Sequence, residues 1–369
     1  MQQMPSPSSW DFADTPWDLL WQCKSVKAKW TNASEIDCIM STLLGIWSAY
    51  IMPFICGLSL VGTAFFMIVV LLTKNLVSRQ FIYMFCLFAS NAATSLLFGW
   101  FWIFPAKGLP FATEGRVYLF TFYASPTACS VHRFAYSLTS TLSCNVLLVA
   151  SVDRLLSVYF PMEFSNIPKR YGWYVFLITA LVSLFSLIPV AGLIMWTSVG
   201  DKIICWFPQP YQYMEYYHTL ISNGGVIQPL AILVINVIFF ARIRKHAQQQ
   251  GRLEVLSVQA KQSMQACMTL LIFSLIFVIC ALPQNIAYIC AYTISRANPQ
   301  MTAQIRLAYN VADLFWNLYF IRDVIYLIFM FRLTGICRWF AQLLRGKNHR
   351  RPFVISGTFW GQDQMTIVQ

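Results

Sequence analysis

Few side chains in this sequence have the types and spacing that covalent chemistry needs. Four histidines occur in 369 residues, and none falls in an HExxH pair that could hold a catalytic zinc. The eleven cysteines are scattered without a CxxC, so they form no zinc array. Gly57-Leu58-Ser59 mimics a fragment of an intramembrane serine protease site. A serine nucleophile needs a base within hydrogen-bond reach, and the available histidines, His132 and His218, fall at the far ends of other apolar stretches. What remains is charge in apolar surroundings. Asp313, Arg322 and Asp323 stand in one long apolar run, where ionisable groups are costly and mark candidate functional sites. Arg322 is placed to neutralise Asp323, and a purely structural pair is the competing reading. Asp153 and Arg154 close another apolar run. His132 and Arg133 open it, where a base suits a carboxylate or meets a lipid headgroup.

The elements that position these groups follow from composition. The chain is 58% hydrophobic and 11% charged, with a mean hydropathy of +0.58, whereas soluble chains are about 25% charged. Seven apolar stretches are each long enough to cross a bilayer as a helix. They lie near Ile46–Thr73, Phe81–Phe104, Cys129–Tyr159, Tyr171–Trp196, Thr219–Ala241, Ala266–Tyr292 and Leu307–Phe331. Pro53, Pro189, Pro229 and Pro283 fall inside them, which a helix bundle tolerates in lipid. The runs are too long, and alternate too little, for barrel strands. The expected fold is an all-α membrane protein, a seven-transmembrane helix bundle. The net charge of +12 is then read by position: with the amino terminus outside, bases concentrate in the inner loops and tail, as the positive-inside rule requires. No nucleic-acid partner is implied. Trp100, Trp102, Trp196 and Trp206 are expected in interfacial belts or against lipid, not in a ligand cage.

Residues 1–45 form an extracellular amino-terminal segment in this reading, 46–331 the bundle, 332–345 a surface helix and 346–369 a cytoplasmic tail. The start of the chain has no apolar signal region, so the first span is expected to direct its own insertion. Asn32-Ala33-Ser34 is a glycosylation sequon on the expected outer side. Between Arg332 and Arg345 apolar residues recur at helical spacing with bases between them, the pattern of an amphipathic helix lying on membrane lipids. Cys337 within it could carry a palmitoyl chain or stay unmodified. Cys23 and Cys38 both fall in the expected outer segment and are candidates to pair with each other, with other combinations left open. A transporter or channel is the alternative function, but no internal repeat or matched pair of broken helices supports it.

Several landmarks occur in a fixed order. Cys129 opens the third stretch and Asp153-Arg154-Leu155 closes it, with the arginine 25 positions after the cysteine. Pro161 follows, then Cys205, the mid-helix Pro229, Phe277 with Cys280-Ala281-Leu282-Pro283, and Arg322-Asp323-Val324-Ile325-Tyr326. In these motifs the chain resembles the rhodopsin-like G protein-coupled receptors, over roughly Ile46 to Leu344. It departs from their pattern at Asn91, Thr63, Leu155, Val237 and Ala281, and its first outer loop, Pro105 to Ala128, is long.

The resemblance implies a receptor and no enzyme, with no cofactor. It implies a Cys129–Cys205 disulfide, an extracellular ligand, and a heterotrimeric G protein that meets Arg154 after its release from Asp153; arrestin is a further possible partner. Leu155, Phe277, Pro283, Arg322, Asp323 and Tyr326 would belong to the activation machinery. The family's sodium region falls at Asn91, Ser143 and Asp323, where Arg322 would oppose a cation. Tyr136 stands where amine receptors carry an aspartate, and Trp316 where opsins carry a lysine, so neither ligand class is expected. His132, Arg133, Tyr136, Gln284, Asn285, Tyr288, Asp313 and Trp316 are the candidate ligand-binding residues, with a peptide or a small acidic molecule favoured. Ala281, in place of a bulky tryptophan, implies raised ligand-free signalling.

Overall fold

A computed structural model describes residues 10–29, 34–72, 79–168, 170–199, 202–222, 225–250, 258–297 and 302–334. The described chain is mostly helical. A short helix α1 (Asp18–Lys27) precedes α2, which runs as Glu35–Ile46, a π-wound turn Trp47–Ile51, and Met52–Leu72. Helix α3 begins as Arg79–Thr94, continues as a π-helix over Ser95–Gly108 and ends as Leu109–Ala112. Then come α4 (Pro126–Tyr159), α5 (Tyr171–Leu193), and a hairpin of β1 (Met195–Val199) and β2 (Lys202–Trp206). Helices α6 (Met214–Ile221), α7 (Ile227–Gln250), α8 (Val258–Ala297), α9 (Thr302–Tyr319) and α10 (Ile321–Thr334) complete the order. Among the described residues five helices, α2, α3, α4, α5 and α8, are long and apolar enough to cross a membrane, and α7 contains a shorter apolar stretch, Ile227–Arg242.

The bundle has an apolar core and also an apolar outer surface, with small polar residues set between its helices. Large apolar side chains such as Phe54, Val61 and Ile279 point outward, while Ser90, Asn91, Ser95, Ser140, Ser143 and Ser274 are buried between helices. Hydrocarbon makes apolar exposure free of cost, and small polar residues let helices approach and bond across their interfaces. Helix α4 is the central post, packed against α3, α5, α7 and α8. Its start is locally encoded: Ser125 caps it by accepting a hydrogen bond from the Ala128 amide (3.0 Å), and Pro126 occupies the first turn, where its missing N–H costs nothing.

Several boundaries differ from the sequence expectation: the fourth stretch ends at Leu193, before β1, and the fifth divides into α6, ending at Ile221, and α7, starting at Ile227. Helix α2 starts at Glu35, well before Ile46. Its polar first turn is held from outside, since buried Asp37 pairs with Arg306 of α9 (3.5 Å), and hydropathy cannot register such a partner. Pro105 does not end α3. The returning loop supplies donors to carbonyls there: Thr121 Oγ1 bonds the Phe101 carbonyl (2.6 Å) and the Leu119 amide bonds that of Pro105 (3.0 Å). The long first outer loop is therefore partly helix. The seventh apolar stretch is two helices that meet at Phe320 rather than one. Asn32, Cys337 and most of the expected surface helix lie outside the described residues.

Candidate functional site

A cavity of about 790 Å³ opens within the end of the bundle that carries the β-hairpin, a size in the range of small-molecule sites. The Cys129–Cys205 disulfide joins α4 to β2. Arg133 stands one helical turn after Cys129, and Trp206 directly follows Cys205. The bridge thus brings a guanidinium and an indole to the same wall. The guanidinium carbon of Arg133 lies 3.9 Å from the Trp102 ring centroid and 5.1 Å from that of Trp206. Trp102 comes from the π-wound part of α3, whose i→i+5 winding also places Phe98 and Lys107 on the cavity wall.

Arg133 is 8% exposed and its Nε has no hydrogen-bond partner. Among the described residues no carboxylate pairs with it. The aromatic faces supply cation–π stabilisation but leave the planar fork of donors free for a carboxylate or phosphate. The other lysine and arginine on the wall are paired, Arg306 with Asp37 (3.5 Å) and Lys107 with Asp313. Lys107 Nζ lies 2.7 Å from Asp313 Oδ2, and Asp313 Oδ1 accepts from the Tyr288 hydroxyl at 2.5 Å. Glu215 accepts from Trp206 Nε1 (2.7 Å) and faces Arg296 at 3.6 Å.

The amino-terminal segment forms the cavity's cover. Residues 11–13 pair with β2: the Ala13 amide donates to the Ile203 carbonyl, and the Ile203 amide donates to that of Asp11, both at 2.8 Å. Phe12 stacks on Tyr123 with ring centroids 4.3 Å apart, and the Tyr123 hydroxyl donates to Asp14 (2.6 Å). Trp17, Asp18 and Trp21 then line the cavity, and the Cys23–Cys38 disulfide ties α1 to α2. Asp18 is among the residues that line the cavity. Lost hydration there, with Asp14 beside it, pushes its carboxyl up to about 6, against opposing help from Thr15 and Lys107.

A second polar cluster lies deeper. Arg322 Nε is 3.2 Å from Asp323 Oδ1, its Nη2 donates to Asn91 Oδ1 (3.2 Å), and its face lies 3.6 Å from the Tyr319 centroid. Ser143 also donates to Asn91, and Ser95 donates to Asp323 (3.1 Å). Further along α4, Arg154 is buried and donates to Ser151 Oγ (2.8 Å) and to Ser274 Oγ of α8 (3.5 Å).

The chain matches the family model of the seven-transmembrane receptors of the rhodopsin family over residues 62–319. It belongs to that family. No curated protein matches the chain as a relative. The receptor is therefore a signalling protein and not an enzyme, which agrees with the scarcity of catalytic constellations in its sequence.

Of the receptor's eight candidate ligand residues, Arg133, Gln284, Asn285, Tyr288, Asp313 and Trp316 line the cavity. His132 and Tyr136 do not. His132 turns toward the Leu97 carbonyl (3.1 Å), because adjacent helix positions diverge by about 100°, and Tyr136, one turn after Arg133, is buried under the rings of Phe98, Trp102 and Trp316. Trp102 and Trp206, expected at the lipid interface, instead line the cavity. Asp153 does not pair with Arg154. Its carboxylate faces Arg79 (3.7 Å) and Tyr83 (3.2 Å), since neighbouring residues on a helix do not face each other. Leu155 packs with Phe239 and Leu271, Phe277 lies in the core against Tyr319, Pro283 sits within α8, and the Tyr326 hydroxyl donates to the Phe273 carbonyl (2.7 Å). Asn91, Ser143 and Asp323 do converge, but the Arg322 guanidinium bonds both Asn91 and Asp323. The set does not fit a sodium ion. Sequence reasoning missed Trp102, Trp206, Lys107, Asn317 and the amino-terminal residues, whose only signals were their aromatic or polar types.

Proposed function

We propose that the receptor binds an extracellular ligand with an acidic group, a peptide or a small molecule, at Arg133, and passes the event to a heterotrimeric G protein through Arg154. The observation that carries the ligand class is the buried guanidinium of Arg133, which faces the cavity with no carboxylate among the described residues to neutralise it. A charge so placed is costly, and a bidentate anion is the partner that its geometry suits. The amino terminus lies outside and the tail inside in this reading, as the distribution of bases supports. Helix α7 and the joined pair α9–α10 complete seven spans. Residues 332–345 lie on the inner leaflet, with Cys337 as a lipidation site and Asn32 as a glycosylation site.

The ligand favours one of two helix arrangements in proportion to its differential affinity for them. Ligand held between Arg133 of α4 and the facing wall of α8 and α9 biases the packing of these helices. The opposite ends of α4 and α8 share the Arg154–Ser274 contact, and its opening frees Arg154 for the G protein. The test is G protein activation in cells carrying the receptor at their surface, challenged with pooled peptides and organic acids beside Arg154→Ala and Arg133→Gln. A response lost in Arg154→Ala and weakened in Arg133→Gln is expected. Responses only to cationic ligands, unaffected by Arg133→Gln, would reject the acidic class.

A further inference from the structure

We infer that this cavity takes a bipolar molecule: an anionic group on Arg133, an N–H donor on Gln284 and Asn317, and an aromatic body between them. The inference rests on the reading of the cavity as the receptor's acid-binding site. Gln284 and Asn317 are 1% and 2% exposed, both line the cavity, and neither side-chain oxygen has a hydrogen-bond donor. The orientation of Asn317 is set by its nitrogen, which donates to the Asp313 carbonyl (2.9 Å), so its oxygen is left as an acceptor. Folded proteins leave few buried polar atoms without partners.

These acceptors occupy one level of the cavity. Tyr288 and Asp313 are joined by a hydrogen bond between α8 and α9. Gln284 precedes Tyr288 by one turn and Asn317 follows Asp313 by one turn. The two helices run antiparallel, so both amides sit one turn deeper than that link. Two neutral acceptors select an amine or amide N–H rather than a second anion, and Asp313 nearby gives the same preference. The wall between this layer and Arg133 is aromatic: Phe98 stacks on Trp316 with centroids 5.0 Å apart, and Trp102 carries Arg133 on its face. Apolar walls with a few convergent polar groups orient a small molecule. The chemical class is an aromatic amino acid or a short peptide that ends in one.

The test uses probes with one body and different poles on the purified full-length receptor in lipid nanodiscs, with binding read from the thermal unfolding shift. Phenylalanine and N-acetylphenylalanine carry both poles, 3-phenylpropionate only the acid, and phenethylamine only the amine. The bipolar probes are expected to bind about ten-fold tighter than 3-phenylpropionate, the effect of a pair of well-made hydrogen bonds. Gln284→Leu and Asn317→Leu should each narrow that ratio, and Arg133→Gln should abolish binding of every carboxylate. Equal affinity of 3-phenylpropionate and the bipolar probes overturns the inference while the acid-binding reading stands. No binding of any carboxylate overturns both. The comparison on the unaltered receptor requires no variant to fold.

Discussion

Arg322 and Asp323 are adjacent, fully buried and charged, and the pair answers a question that the sequence left open. Arg322 also bonds Asn91 and lies on the Tyr319 ring, so the receptor carries its own cation where the family places sodium. Arg322→Leu leaves Asp323 buried without its counter-charge and should cost roughly 3–5 kcal/mol. The double variant Arg322→Leu/Asp323→Leu should recover most of that loss, because it removes both charges together. Thermal unfolding of the purified variants measures this directly, and a double variant no better than the single one would refute it. For the same reason, replacing sodium with choline should leave ligand affinity unchanged; strong sodium modulation would count against a guanidinium in that position. The charges were legible as residues. Their bonding was not, since nothing local in the chain says that Asn91 and Ser143 converge on them.

At the scale of elements, the amino-terminal segment is the least expected feature. It is held by strand pairing to β2, by Phe12 on Tyr123, and by the Cys23–Cys38 bridge. A cover fixed at both ends should slow access to the cavity. With Asn310→Cys as a reporter on the cavity wall, labelling by a membrane-impermeant thiol reagent should rise roughly ten-fold when Cys23 and Cys38 are both changed to serine, since local opening governs such access. Labelling independent of the bridge would mean that the cover does not restrict entry. The pH dependence has a definite sign. Asp18 has its carboxyl raised from 3.8 to about 6 in the folded state, so docking of the cover is strongest in acid and weakens as pH rises through that interval. Asp14 and Thr15 of the same segment and Lys107 of α3 are the groups that act on it. In the serine variant, labelling corrected for thiol ionisation should increase from pH 5 to 7.5, and Asp18→Asn should flatten that increase. The cover was hidden in the sequence because Trp10–Lys27 is short, mixed in polarity and apolar only where it meets other segments.

The whole molecule is a helical bundle with a cavity at one end and the buried Arg154 near the other. Ala281 is fully buried in the bundle's main apolar core, and it stands where the family pattern has a tryptophan. Less side-chain volume at this level weakens the packing that favours a single arrangement. The expected outcome is ligand-free G protein activation several-fold above that of the matched Arg154→Ala variant, measured at equal surface expression. A silent receptor at normal expression would show that other packing holds the resting arrangement.

The sequence by itself determined the helical membrane class, the order of landmarks, the Cys129–Cys205 bridge as a family expectation, and six of the residues that line the cavity. These rest on hydropathy and motif spacing, which are local properties of the chain. Only the tertiary structure decided which charges meet. Lys107 and Asp313, Arg79 and Asp153, and Arg306 and Asp37 pair across helices, while Arg133 is left facing the cavity. It also carried α3 past Pro105 and laid the amino-terminal segment over the mouth. Such outcomes depend on the rotation and depth of one helix against another. In a bundle those are set by packing over many residues at once, so no short stretch of sequence encodes them.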